Sequence, residues 1–180
     1  MQAIKRLLRP RAATEAGRRL FTVAAAHARQ PALYQAGGVA DTNEGRFELY
    51  TLHIVLVLHR LKGQGAAAPE VAQALFDAYV RSLDDALREM GVGDLSVGKK
   101  MRKLGEAFYG RVKSYDEAFA ALPETAPLRA LIGRTVYMDV EHEPDALAAY
   151  ALAAMQALRD QPLQAVLDAD LAWPSYGALT

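Results

Sequence analysis

An all-α fold, a single-domain helical bundle of about six to eight helices, is predicted by three properties of the sequence. Apolar residues recur at helical spacing nearly everywhere, Gly and Pro punctuate that spacing at element ends, and no strand-like alternation bounded by hairpin turns appears. At 180 residues one domain is the default, and such a chain buries roughly 70% of the surface it exposes when unfolded. There is no Cys, which excludes disulfides, thiol catalysis, thioether haem attachment and Cys-based zinc sites. The pattern predicts helices over 13–29, 44–62, 69–90, 97–121, 128–137 and 145–160, with short helical pieces at 31–35 and 163–168.

The first element is basic. Residues 1–30 carry seven Lys/Arg against Glu15 alone, 31–115 carry eleven against ten acidic residues, and 116–180 carry three against ten; +6, +1 and −7 sum to the formal zero of the whole chain. Overall neutrality argues against a general DNA or RNA coat and against a strongly anion-seeking enzyme. Residues 1–38 are expected to form a basic N-terminal helical arm and 39–180 the main helical domain. Ile4, Leu7 and Leu8 share one helical face and Lys5, Arg6 and Arg9 mark the other, as in a helix lying in solvent or on anionic lipid. Arg18-Arg19 before 20–26 and then Ala26-His27-Ala28 imitate a cleavable leader. The Ala-rich core of minimal length and the long charged lead-in favour a plain helix, although an Arg-rich, acid-poor start also fits organelle targeting. The longest uncharged apolar stretches, 49–59 and 146–158, fall short of the roughly 20 residues a membrane span needs.

The segment 44–62 is apolar almost all round its axis, through Phe47, Leu49, Tyr50, Leu52, Ile54, Val55, Leu56, Val57, Leu58 and Leu61. Such a helix is either central to the bundle or covered by a partner. Arg46, His53 and Arg60 recur every seven residues on one stripe. His53 and His59, six residues apart, face different directions and do not make the i,i+4 pair of a zinc helix. In 69–90, Val71, Leu75, Tyr79, Leu83 and Leu87 oppose Glu70, Asp77, Arg81, Asp84 and Arg88. Asp77 with Arg81 and Asp84 with Arg88 are expected i,i+4 pairs, each contributing about 0.2–0.5 kcal/mol. The segment 97–121 carries a ridge of Met101, Leu104, Phe108, Val112, Tyr115 and Phe119, flanked by Lys99, Lys100, Arg102, Lys103, Arg111 and Lys113.

Several motifs imitate chemistry. Gly93-Asp94-Leu95-Ser96-Val97-Gly98-Lys99-Lys100 nearly spells a phosphate-binding loop, but Lys100 replaces the magnesium-holding hydroxyl, Asp94 puts negative charge in the cradle, and a helix precedes it where a strand is required. Ser96 with Lys99 lacks the later elements of an acylating serine enzyme. A structural account is simpler: Gly91 ends one helix in the left-handed conformation, Ser96 caps the next, and Gly91, Gly93 and Gly98 are backbone requirements. Glu141-His142-Glu143 and Asp168 with Asp170 lie at helix boundaries, where acidic residues serve capping. No nucleophile, base and oxyanion set converges, so no enzyme, catalytic residue, cofactor or metal site is predicted.

Gly45-Arg46-Phe47-Glu48-Leu49-Tyr50-Thr51-Leu52-His53, then Ala74-Leu75-Phe76-Asp77 and Leu83-Asp84, then Arg88-Glu89-Met90-Gly91-Val92-Gly93-Asp94-Leu95-Ser96-Val97-Gly98-Lys99-Lys100-Met101, then Ala107-Phe108-Tyr109-Gly110-Arg111 and Tyr115 resemble the ubiquinol-cytochrome c chaperone family over about 41–150. The run 88–101 is the most specific part. The resemblance implies a non-enzymatic α-helical assembly factor that binds newly made cytochrome b and helps build ubiquinol-cytochrome c reductase, respiratory complex III. It also implies a small partner protein and a place near the ribosome in mitochondrial relatives.

The short Ala/Arg-rich chain looks like a bacterial member, acting in the cytoplasm at the inner-membrane face, the alternative being the matrix side of the mitochondrial inner membrane. Residues expected at the client interface are Arg46, Phe47, Glu48, His53, Asp77, Asp84, Lys99, Lys100, Met101, Phe108, Tyr109, Arg111 and Tyr115. Acidic side chains would hold the positively charged cytoplasmic ends of client helices, and the basic arm would meet anionic lipid. The rival reading is an RNA- or ribosome-associated helical module using the basic flank of 97–121.

Overall fold

The computed structural model describes residues 2–138 and 143–176, with side chains from Arg11 onward, so Ile4, Leu7, Leu8, Lys5, Arg6, Arg9, Glu141 and His142 lie outside the described side chains. The described residues form eight helices and no strand: α1 (Gln2–Ala28), α2 (Pro31–Gln35), α3 (Asn43–Leu61), α4 (Ala68–Glu89), α5 (Asp94–Ala120), α6 (Ala126–Thr135), α7 (Asp145–Asp160) and α8 (Leu163–Leu167).

The all-round apolar helix is central. α3 touches α1, α4, α5 and α7, and Leu49, Leu52, Ile54, Val55, Leu56, Val57 and Leu61 are all buried. Four neighbours cover four sides, so its apolar circumference is accounted for within the chain. The Thr42 hydroxyl caps its start by accepting from the Gly45 amide at 3.1 Å. At its other end Arg60 donates to the carbonyls of Leu158 at 2.7 Å and Gln161 at 3.0 Å, satisfying acceptors that α7 leaves open at its C-terminus.

α1 lies against α4 and α3. Within the segment expected as an arm, Ala13, Ala16, Leu20, Ala24 and Ala28 are core residues. The contact is close because Gly17 has no side chain: a Cβ there would come within 2.5 Å of the Ala74 backbone carbon. Helix backbones approach this closely only where small residues meet. Arg11, Arg18 and Arg19 are on the exposed side.

α4 ends as expected at Gly91, whose φ is +76°. The Val92 amide reaches the Leu87 carbonyl at 3.0 Å and the Gly91 amide that of Arg88 at 2.9 Å, the paired bonds of a left-handed helix stop. The next helix starts earlier than expected. Gly93, not Ser96, is its N-cap, and the Ser96 amide already donates to the Gly93 carbonyl at 2.8 Å. The Asp84–Arg88 pair forms at 2.7 Å, and Arg88 also reaches Asp94 at 2.6 Å, tying the two helix ends together. Asp77 instead accepts from Gln73 at 2.8 Å rather than forming the expected pair with Arg81.

Candidate functional site

The order α3, α4, α5 folds back twice, so the start of α3, the end of α4 and the start of α5 gather at one end of the bundle. The Asn43 amide contacts the Met90 sulfur at 3.3 Å, which closes this end. Arg46 sits there, exposed and paired with Asp41 at 2.7 Å, a contact that lowers the Asp41 carboxyl below its ordinary range. Phe47 and Met101 are half-buried beneath it, Asp84 is held by Arg88, and Lys99 and Lys100 are exposed on the first turns of α5. The sequence motif and the bundle end therefore coincide.

Further along, α4 and α5 meet in an aromatic seam. Phe76 lies 5.3 Å from Phe108 and 5.6 Å from Tyr109 between ring centroids, and Tyr79 lies 5.1 Å from Phe108. Phe108 is buried in this seam, whereas Tyr109 is 61% exposed at its rim. Asp77 is exposed on the α4 side.

Other expected interface residues are interior. His53 is fully buried: its Nδ1–H donates to the Leu49 carbonyl at 2.7 Å, so Nε2 accepts from the Tyr150 hydroxyl, also at 2.7 Å. Burial lowers its pKa to about 3, against a smaller opposing effect of the Leu49 bond. Glu48 is buried and receives a two-pronged bond from Arg111, Nε to Oε2 at 2.9 Å and Nη2 to Oε1 at 2.8 Å. This bond raises the Arg111 pKa, with desolvation working against it. Tyr115 is buried beside them, and burial pushes its hydroxyl pKa up. Glu48, His53, Phe108 and Tyr115 thus shape the surface from beneath. Heptad spacing placed His53 beside exposed Arg46, but burial depends on the neighbouring helix, here α7 with Tyr150.

Two features escaped the sequence reading. Within 88–101 only Val97 is buried, and Met90 and Leu95 are exposed, Leu95 completely. Moreover, a Cβ at Gly93, Gly98, Gly105 or Gly110 would meet nothing within 4 Å, and Gly93 and Gly98 lack positive φ. Gly91 is a backbone requirement, but Gly93 and Gly98 are not. Each glycine inside α5 costs about 0.8–1 kcal/mol relative to Ala, and no packing within the described residues offsets it.

A second cluster joins His27, His53, Tyr150 and Trp173. His27 stacks on Trp173 at 5.0 Å and lies 5.5 Å from His53. Nothing in the spacing of these residues along the chain announced that they would meet. Among the described residues no group of three or more His, Asp or Glu side chains is placed to hold a metal, and no helix is long and apolar enough to cross a membrane.

Comparison with known proteins places these features in context. The family profile described as Ubiquinol-cytochrome C chaperone matches residues 35–173. The crystal structure of the Cbp3 homolog from Brucella abortus is similar over 98% of this chain and 97% of that chain, at 35% sequence identity and a TM-score of 0.84. No curated protein sequence gives a match.

Proposed function

We propose, on the premise that this chain belongs to the ubiquinol-cytochrome c chaperone family, that it binds newly made cytochrome b and promotes assembly of ubiquinol-cytochrome c reductase. Membership implies a non-enzymatic role. The observation that carries the finer reading is the exposure of 88–101, the run with the most specific family resemblance, where Val97 alone is buried. Core packing does not account for the identities of Met90, Leu95, Lys99 and Lys100, and recognition does.

Mechanistically, the chain supplies two kinds of surface to a membrane-protein client. Exposed Met90, beside half-buried Phe47 and Met101, shields apolar segments before they are inserted. Asp77 on α4, and Asp84 on exchanging its Arg88 partner, hold positively charged cytoplasmic ends of client helices. Glu48, Arg111, His53, Phe108 and Tyr115 keep α3, α4, α5 and α7 in register below that surface. Arg11, Arg18 and Arg19, exposed on the basic segment 1–38, meet the anionic inner-membrane surface on the cytoplasmic side, each contributing about 1 kcal/mol. Residues 39–180 carry the client-binding domain. A small partner protein and the ribosome are further candidates by analogy with mitochondrial relatives.

Photocrosslinking probes at Arg46, Asp77 and Met90 in cells making cytochrome b test this reading. Capture of apo-cytochrome b and loss of complex III on deleting the protein are expected. No capture from any position, with complex III intact in the deletion strain, overturns it. The rival RNA-associated reading draws on exposed Lys99, Lys100, Arg102 and Lys103. It predicts salt-sensitive RNA retention that charge reversal abolishes.

A further inference from the structure

The outer face of α5 is built unlike any other helix surface described above. Stepping about 100° per residue puts Leu95, Gly98, Arg102, Gly105 and Tyr109 on one line along the helix, on a flank rotated about 110° from the core ridge of Val97, Phe108 and Tyr115 and meeting the α4 seam at Tyr109. Leu95 is fully exposed and Tyr109 is 61% exposed. Lys99 and Lys103 border the line and Arg102 stands on it; all three are exposed and make no ion pair among the described residues. Glu106 is the carboxylate set among them, while Asp94 is already engaged by Arg88. Gly98 and Gly105, two turns apart, have open space where a side chain would stand.

We propose that this face docks an amphipathic helix of a partner protein whose edges carry Asp and Glu. Leu95 and Tyr109 give the two ends of an apolar contact line. Lys99, Arg102 and Lys103 pair with the acidic edge. The missing side chains at Gly98 and Gly105 let the two helix backbones come close, the circumstance in which glycine inside a helix is favoured over alanine. A second copy of this chain is a poor occupant, because a two-fold contact through this line would set the same cations against one another. A membrane-spanning helix is a poor one too, since its apolar flanks would face the Lys/Arg border. Lipid or RNA would gain nothing from an absent Cβ.

The inference rests on the reading of 88–101 as a recognition surface and names the chemistry of one occupant. It is tested by placing benzoylphenylalanine at Leu95 and at Tyr109 in cells and identifying the crosslinked segment by mass spectrometry. That segment is then synthesised as a labelled peptide and its affinity measured by fluorescence anisotropy. An acidic amphipathic segment is expected, bound at least tenfold more weakly by the R102E/K103E chain. The G98A/G105A chain should bind about tenfold more weakly while melting about 2–8 °C higher, a combination that damage to the fold cannot produce. A crosslink to phospholipid, to RNA, to a second copy or to a basic segment overturns the proposal. So does an acidic peptide whose affinity ignores both double substitutions, or the absence of any crosslink. Probes at Asp77 and Met90, read in the same cells, report on cytochrome b independently, so the two readings fail separately.

Discussion

α3 and α5 both carry more apolar surface than an ordinary amphipathic helix needs, and the bundle treats them in opposite ways. α3 is enclosed by α1, α4, α5 and α7, and most of its long apolar side chains are buried. α5 spends one ridge on the core and turns Leu95, Tyr109 and unpacked glycines outward. In the first helix residue identity is answered by neighbours in the same chain; in the second those neighbours answer for one ridge and leave the exposed flank unexplained.

Substitutions that treat the two helices alike should reveal the difference. Leu52→Ala on α3 should destabilise the protein by about 2–5 kcal/mol, whereas Leu95→Ala on α5 should move stability by no more than about 0.5 kcal/mol. Chemical denaturation monitored by circular dichroism compares them, and equal losses would break the contrast. Next in size is Glu48→Gln at the junction of the two helices. It leaves the Arg111 guanidinium short of its partner in a largely desolvated place and should cost about 2 kcal/mol, less than a fully buried pair because Arg111 is partly solvated.

The pH dependence of stability sharpens the same comparison, since the buried imidazole belongs to α3. His53 in the folded protein takes up its proton only near pH 3, whereas the unfolded imidazole does so near its ordinary value of 6.5. Between these values the unfolded state binds more protons, so stability falls as pH falls, by about 2 kcal/mol at pH 5. Above pH 6.5 the contribution is constant. His53→Gln, which still bonds but does not titrate, should flatten the slope between pH 6.5 and 5 in thermal melts. A smaller effect has the opposite sign: Gly105→Ala on α5 should stabilise the isolated protein by about 0.5–1 kcal/mol.

Element identities were legible because helical spacing survives in every long segment, and Gly91 marked a left-handed stop that the structure contains. What periodicity does not contain is the identity of the neighbour. It left α3 open between interior helix and covered surface, and it made His53 look like Arg46 because both stand on one stripe. Tyr150, nearly a hundred residues later in the chain, settles the matter by accepting a place beside the imidazole. The start of α5 was placed late because Asp94 and Leu95 precede the apolar ridge, although their backbone is already helical. The exposed stretch 88–101 was legible as a motif but not as a surface, since Gly93 and Gly98 look the same in sequence whether they are packed or open.

Trp173 is the sole tryptophan of the chain, and its indole rests on His27 while the Ala172 amide and carbonyl are both held by Gln161. Residues 172–176 are thereby seated against His27 of α1 and His53 of α3. The protein carries its own optical gauge: unlabelled, and without any added dye, its Trp173 fluorescence reports whether residues 172–176 keep their packing.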